Sequence, residues 1–407
     1  MNAPAGPALA RLNARGHLGI KRGLDNIRAL LRTLGNPERS APAVLIAGTN
    51  GKGSTGALLE ATLLAAGHRV GWTTSPHLVH PRERIRVAGA PVSEARLEAL
   101  LGEVFTAEAA LGIEATYFEL MVAAAFLAFR EVDLALVEVG LGGRWDATNA
   151  SDPILTVLTT VGLDHQQLLG DTREAIGREK LCTARTGRPL VLGPNLDPDW
   201  IAPLLECAPV LHRAPALAPE SLAWDHSIVL GHRLALAGAH QAENLATALE
   251  AVVQLRALGV PIDDEAVWRG AASVAWPGRL WRVPELSGVW MDGAHNPDGA
   301  KVLADHALAC GVRPRVLFGA MGDKDLRGVA AELLRFSPAD VTFVRGADPR
   351  YADAAQLREA WDLQAPMLDL PAAARLLRDH REGTLLVTGS LYLLGDLLRE
   401  LGLDPWG

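Results

Sequence analysis

The chain has 407 residues and a mass of 43.2 kDa, enough for two or three domains at roughly 100–200 residues each. Its 49% apolar and 21% charged content is ordinary for globular chains and excludes disorder along most of its length. A formal charge of −8 argues against non-specific binding to a nucleic-acid backbone, which needs dense Lys and Arg.

Met1 to Gly23 has no apolar core of the signal-peptide kind. Val44-Leu45-Ile46-Ala47 reads as a short buried strand and runs at once into a glycine-rich turn. The composition of 57–66 is helical, with Gly67 as its C-terminal cap. A strand at 69–72 follows, then a helix from Ser93-Glu94 to about Ala110. The stretch 118–130 is a largely apolar helix and therefore a buried one. Its longest apolar run, 121–129, falls short of the about 20 residues that span a bilayer. Strands at 134–139 and 154–158 are continuously apolar, as in a parallel sheet with both faces covered. This βαβ alternation predicts an α/β fold with a doubly wound parallel sheet. The Pro- and Ala-rich stretch 194–219 reads as irregular connections.

The pattern restarts near residue 285. Strands are expected at 288–291, 315–318, 341–344 and 384–387, with helices at 299–310, 326–336, 372–380 and 391–401. The turn-like Trp276-Pro277-Gly278-Arg279 separates the halves. The expected division is therefore a larger domain over 1–280 and a smaller α/β domain over 281–407. Cys182, Cys207 and Cys310 lie far apart without a CxxC pair, so reduced thiols are expected rather than a disulfide framework or structural zinc.

The strongest local signal is Gly48-Thr49-Asn50-Gly51-Lys52-Gly53-Ser54-Thr55, between a strand and a helix. That is the context of a phosphate-binding loop. Its glycines let backbone N–H groups approach phosphate oxygens, and the helix N-terminus adds positive potential. Lys52 supplies a point charge for the β and γ phosphates, and the Ser54 or Thr55 hydroxyl can reach a magnesium ion. The spacing departs from the common G-x-x-x-x-G-K-[ST] pattern, because Gly53 separates Lys52 from Ser54.

The octet resembles the nucleotide loop of ATP-dependent Mur-type ligases, above all the folylpolyglutamate synthase/dihydrofolate synthase family. Further matching segments keep the family's order along nearly the whole chain. They include Gly35-Asn36-Pro37, Thr74-Ser75-Pro76-His77-Leu78, Glu83-Arg84-Ile85-Arg86 and Thr116-Tyr117-Phe118-Glu119. Glu138-Val139-Gly140-Leu141-Gly142-Gly143-Arg144, Asp146-Ala147-Thr148-Asn149 and Leu163-Asp164-His165 come next. His240-Gln241 with Asn244, Pro277-Gly278-Arg279, Asp292-Gly293-Ala294-His295-Asn296-Pro297 and Thr388-Gly389-Ser390-Leu391-Tyr392 complete the series.

The resemblance implies a cytoplasmic, monomeric ligase that adds L-glutamate to dihydropteroate, to a reduced folate, or to both, through an acyl phosphate. It implies ATP as co-substrate, two Mg2+ ions and activation by a monovalent cation, with no nucleic-acid or membrane partner. By resemblance Glu138, His165 and Ser75 join Ser54 as metal ligands, and Asn244 contacts adenine. Arg279 reaches the phosphates, Asp292 binds the nucleotide and His295 lies beside it. Phe118, Trp145, Asp146 and Ala147 follow the pterin-contacting segments. Lys52, Lys180 and His165 are the implied catalytic residues, Lys180 occupying the place of a carbamylated lysine. This chain continues Leu181-Cys182-Thr183 where relatives usually carry Ala-Gly-Ile, which alters the packing around that lysine.

Blander readings stand beside these. Glu138 also suits a cap on its glycine-rich turn, Arg279 an ordinary salt bridge, and Lys180 a surface lysine on a helix. Alternating Arg82, Arg84 and Arg86 also suit an exposed strand face, and Trp145 a core or rim aromatic. At the level of function two rivals remain: another Mur-type amino-acid ligase and a non-catalytic nucleotide switch. The first is disfavoured because only about 40 residues precede the loop, too few for a sugar-nucleotide domain.

Overall fold

The computed structural model describes residues 6–15, 19 and 21–406. It divides the chain into two compact units. Unit 1 comprises 1–76, 81–216 and 244–270, and unit 2 comprises 77–80, 217–243 and 271–407. The division therefore does not follow a single cut at residue 280. Residues 217–243 and 271–280 fall with unit 2, because they share its core: Ala237 and Leu280 are buried in one cluster with Trp290, Phe318 and Leu386.

In unit 1 the strands are β1 (Ala43–Ala47), β2 (Val70–Thr73), β3 (Ile85–Val87), β4 (Ala90–Pro91), β5 (Leu134–Glu138), β6 (Leu155–Leu158), β7 (Pro189–Leu192) and β8 (Val210–Arg213). They form one sheet in the order β4-β3-β2-β5-β1-β6-β7-β8. The β2-β5-β1-β6-β7-β8 pairings are parallel, and β3 and β4 extend the sheet as an antiparallel edge. Every residue of β1 and β5 is buried, which is why both read as unbroken apolar runs. The stretch read as irregular connections holds β8, a sheet-edge strand. Its residues are half-buried or exposed, so no apolar run announces it.

The helices of this part are α1 (Pro7–Asn13), α2 (Asp25–Thr33), α3 (Lys52–Ala65), α4 (Glu94–Leu111), α5 (Tyr117–Ala128), α6 (Gln166–Leu169), α7 (Arg173–Leu181) and α8 (Pro198–Ile201). Helix α3 begins at Lys52 rather than at Ala57. Gly51, at φ +85°, turns the chain directly into the helix, so Lys52 to Thr55 form its first turn. The division into units falls inside α9 (Ala239–Ala257) and α10 (Asp264–Ser273).

Unit 2 contains a small antiparallel sheet of β9 (Ser221–Ala223), β10 (His226–Val229) and β11 (His232–Leu234). Its main strands are β12 (Trp281–Arg282), β13 (Val289–Met291), β14 (Arg315–Phe318), β15 (Asp340–Val344), β16 (Met367–Leu368) and β17 (Leu385–Thr388). Their order is β12-β13-β17-β14-β15-β16, parallel except for β12. The helices are α11 (Pro297–Ala309), α12 (Leu326–Leu334), α13 (Ala354–Trp361), α14 (Leu370–Asp379) and α15 (Leu391–Leu401). Leu78 and Val79 are buried in this core with Leu394 and Leu398, and Arg399 donates to both of their carbonyls at 3.2–3.3 Å. All three cysteines are free thiols. Among the described residues no helix is long and apolar enough to cross a membrane.

Candidate active site

In an open parallel sheet, ligands bind beyond the C-terminal strand ends, where the strand order switches direction. Strand β1 sits between β5 and β6. The chain leaves β1 through the glycine-rich octet, β5 through Glu138 and the 140–143 turn, and β6 through Thr159 and Thr160. Three segments distant in sequence from the octet or from one another thus emerge side by side.

The octet is strapped to the segment after β6. Thr49 N–H donates to the Thr160 carbonyl at 2.9 Å, and Asn50 N–H to the Thr160 hydroxyl at 2.9 Å. The Thr159 and Thr160 hydroxyls donate to the Asn50 carbonyl at 2.6 and 3.1 Å. Gly162 N–H donates to the Thr49 hydroxyl at 3.0 Å. The loop needs glycine here. Gly48 has φ +152°, and a Cβ on it would lie 1.9 Å from Thr159 Oγ1. A Cβ on Gly51 would lie 2.5 Å from Asn244 Oδ1. Asn244, expected at the adenine, is therefore placed against the phosphate loop itself. No side chain caps the N-terminus of α3, the end of the helix that favours an anion.

Two lysines meet at this loop. Lys52 Nζ donates to the carbonyls of Gly48 and Thr49 at 3.0 and 3.2 Å. Lys180 Nζ donates to the same Gly48 carbonyl at 3.1 Å. Lys180 is 5% exposed, so it is not a surface lysine. Burial, with the Lys52 ammonium nearby, lowers its pKa to about 7 against the opposing pull of Asp164 and Asp146. The backbone of Lys180 packs on the 140–143 turn, where a Cβ on Gly143 would lie 2.9 Å from the Lys180 carbonyl. The unusual Leu181-Cys182-Thr183 continuation is accommodated: Thr183 Oγ1 donates to the Lys180 carbonyl at 2.7 Å and Cys182 Sγ to the Arg178 carbonyl at 3.2 Å. Arg185 donates to the carbonyls of Cys182, Thr183, Ala184, Asn149 and Ser151, tying the end of α7 to the 147–151 turn.

Glu138 is buried and accepts a hydrogen bond from the Thr74 hydroxyl, next to Ser75. Ser54 is buried, and the wholly buried Thr55 hydroxyl has no hydrogen-bond partner. A buried carboxylate and an orphaned hydroxyl beside a phosphate loop suit a hard divalent cation. His165 is the N-cap of α6. Its side chain is 45% exposed, it takes φ +52° at the start of α6, and it lies 3.8 Å from Asp164. Among the described residues no three His, Cys, Asp or Glu side chains converge as a metal cluster.

Of the substrate candidates, Phe118 and Asp146 come together at Gly140, where a Cβ would lie 2.6 Å from Phe118 and 3.2 Å from Asp146 Oδ2. The Asp146 carboxylate accepts from Leu141 N–H at 2.8 Å and from Thr148 N–H at 3.0 Å, so it shapes both ends of this turn. Burial raises its pKa, opposed by those hydrogen bonds. Ala147 is buried, and Trp145 is 47% exposed. Arg82, Arg84 and Arg86 do not form an exposed face. Arg86 is buried in an ion pair with Glu60 at 3.0 Å, and the Arg84 guanidinium lies over the Tyr117 ring at 5.1 Å.

In unit 2, Asp292 follows β13 and accepts from Leu280 N–H and Ala294 N–H, both at 2.8 Å. Burial raises its pKa, opposed by the Arg279 guanidinium. Arg279 Nη1 donates to the Gly278 carbonyl at 2.9 Å, and His295 Nδ1 to the Gly293 carbonyl at 2.8 Å. Arg279, Asp292 and His295 thus share one turn region. Sequence reasoning missed the Thr159-Thr160 strap. Its signal was a polar pair closing the apolar strand β6.

The Mur ligase glutamate ligase domain family matches residues 278–391. Dihydrofolate synthase/folylpolyglutamate synthase of Bacillus subtilis is 34% identical, covering 96% of this chain and 97% of that protein. The chain belongs to the dihydrofolate synthase/folylpolyglutamate synthase family. Escherichia coli FolC, solved with DHPP and ADP, superposes with a TM-score of 0.84 at 33% identity, covering 99% of each chain. A bifunctional folylpolyglutamate synthase/dihydrofolate synthase solved with Mn, AMPPNP and L-glutamate superposes with a TM-score of 0.84 at 32% identity, covering 98% of each. The two-domain Mur-type fold expected from the motifs is the fold observed. As a member of this synthase family the chain is an ATP-dependent ligase that joins L-glutamate to dihydropteroate, to a reduced folate, or to both.

Proposed function

We propose that this synthase catalyses both steps, glutamylation of dihydropteroate and of a reduced folate, by way of an acyl phosphate. The observation that carries the residue assignments is the convergence of Lys52 and Lys180 on the Gly48 carbonyl. A glycine-rich loop at a helix N-terminus with two cationic side chains is built for a polyphosphate. The names of relatives such as the Bacillus subtilis protein support the pairing of the two steps.

The amides of Gly48 to Thr55, with Lys52, bind the β and γ phosphates and hold the γ-phosphoryl group toward the substrate carboxylate. The carboxylate attacks phosphorus and ADP leaves. The glutamate amine then attacks the acyl carbon, loses a proton and expels phosphate. Asn244 packs against the loop, and Arg279, Asp292 and His295 are assigned as nucleotide-binding residues. Phe118 and Ala147 offer an apolar wall to the pterin ring, Trp145 an aromatic rim, and Asp146 holds the turn between them.

Glu138, Ser54, Ser75 and His165 would hold Mg2+, in up to two sites, with Thr55 as an added hydroxyl. The ion supplies charge neutralisation on the triphosphate. A neutral Lys180 can take up CO2 as a carbamate, which replaces a positive charge by a negative one facing the cation site. A monovalent cation, monomeric state and cytoplasmic location complete the reading, with unit 1 as the ATP- and pterin-binding domain and unit 2 as the C-terminal domain.

The test is ADP release by the purified protein with Mg2+, ATP and L-glutamate, run separately with dihydropteroate and tetrahydrofolate, with products identified by mass. Turnover with both is expected. Turnover with one alone reduces the reading to that step.

A further inference from the structure

Helix α4 carries a buried charge that none of the motifs above includes. Glu108 is 1% exposed yet carries a carboxylate. It accepts from Arg11 Nη2 at 2.6 Å, from Arg15 Nη2 at 3.1 Å and from the Ala115 N–H at 2.9 Å. A buried carboxylate is costly unless its partners are well placed. Here the partners have a direction. Arg15 Nη1 also donates to the Ala115 carbonyl at 3.2 Å, so the Arg15–Glu108 pair grips both backbone polar groups of one residue.

Ala115 immediately precedes Thr116, the N-cap of α5. Thr116 and Glu119 form a reciprocal capping box that starts the helix. The first turn so fixed carries Tyr117, under the Arg84 guanidinium, and Phe118, whose ring abuts Gly140. On the other side Lys21 and Asn26 donate to the Glu114 carbonyl at 2.9 and 3.2 Å. Helix α1 is itself tied to α4, because the Glu98 carboxylate accepts from the Ala8 and Leu9 amides. The N-terminal segment is thus a brace whose polar contacts end on the residues just before α5.

We propose that Glu108 is a positioning residue for the folate substrate: with Arg11 and Arg15 it sets the entry of α5 and so the placement of the Phe118 ring. This rests on the reading that Phe118 lines the pterin pocket. A brace for the ring predicts a selective kinetic effect. Loss of Glu108 charge displaces the wall that meets the pterin and leaves the phosphate loop, which hangs from β1 and β6, unmoved.

The test measures steady-state KM for the pterin substrate and for ATP in Glu108→Gln, Arg15→Lys and Phe118→Ala, with dihydropteroate and with tetrahydrofolate. Arg15→Lys keeps the charge but removes the fork that spans Glu108 and Ala115. It serves as the readout if Glu108→Gln does not fold. The expected result is a pterin KM raised about tenfold in the folded brace variants, with the ATP KM within about twofold of the parent. A purely structural role would lower the active fraction or the melting temperature without moving the pterin KM, and that outcome overturns the proposal. If Phe118→Ala raises the pterin KM while both brace variants leave it unchanged, the proposal fails alone. If Phe118→Ala also leaves it unchanged, the pocket reading fails with it.

Discussion

The polar groups at the C-terminal ends of the two parallel sheets are held in opposite ways. In unit 1 the bonds run between elements distant in sequence: Lys180 to Gly48, and Thr159 and Thr160 to Asn50. In unit 2 the Asp292 carboxylate accepts from Leu280 and Ala294, Arg279 donates to Gly278 and His295 to Gly293, all within a dozen residues. A lattice of long-range bonds makes the phosphate loop a preformed cradle, in which one altered side chain shifts several segments. A locally satisfied turn can lose one bond and keep its neighbours in place.

The largest expected break of this contrast is Lys52→Ala. Removing a positive group that meets the transferring phosphoryl should lower turnover by about 10³-fold or more. ADP release at saturating ATP reads it, and normal turnover would remove the phosphate-loop assignment. Lys180→Ala comes next, with a loss of at least about 10²-fold. Because Lys180 titrates near about 7, its amine is neutral above that pH and open to CO2. Activity in CO2-depleted buffer should fall as pH drops through that value, and added bicarbonate should move the midpoint down. For the unmodified lysine the linkage sign follows from its ordinary value of 10.5. The unfolded chain binds more protons between about 7 and 10.5, so stability rises with pH across that window. Lys180→Ala should lose this slope. A fully active enzyme whose intact mass shows unmodified Lys180 would defeat the carbamate proposal.

A smaller effect is expected at Gly48→Ala. The φ of +152° and the contact with Thr159 Oγ1 at 1.9 Å leave no room for a methyl group. The loop must shift, at about 1–3 kcal/mol by the usual cost of special backbone positions. A melting curve and the ATP KM should both move. A change in melting temperature alone would mean that the strap to β6 does not shape the cradle.

Much of this arrangement was readable from residues alone. Strands β1, β5 and β6 are apolar throughout because both sheet faces are covered, so their limits fall within a residue or so of those expected. The octet stood out as a glycine-rich turn between a strand and a helix, whereas Glu138 and Lys180 were picked out by the family resemblance. What escaped notice lacks such marks. Strand β8 is half-exposed at the sheet edge, and the brace around Glu108 joins α1, α4 and α5, three helices with no pattern in common. Arg86 looked like part of an alternating exposed face. Its Glu60 partner, on a helix 26 positions earlier, helps hold it buried. Tertiary pairing of charges leaves no local signature.

The smallest expected effect sharpens the comparison from the unit 2 side. Asp292 accepts one amide on each oxygen, and Asp292→Asn keeps the shape but replaces one acceptor by an amine. One of the two amides is left facing a donor, which costs about 1–3 kcal/mol. Because both partners belong to the same turn, the loss should stay there. The melting transition should fall by a few degrees, and the ATP KM should rise less than tenfold while the pterin KM holds. Burial raises the Asp292 carboxyl and Arg279 opposes this, so the folded chain binds that proton more readily than the unfolded chain, and wild-type stability should gain from this group as pH falls into the carboxylate range. The asparagine variant should lose that pH dependence. A large change in pterin KM on Asp292→Asn would show instead that the loss does not stay in this turn, and the contrast would fall.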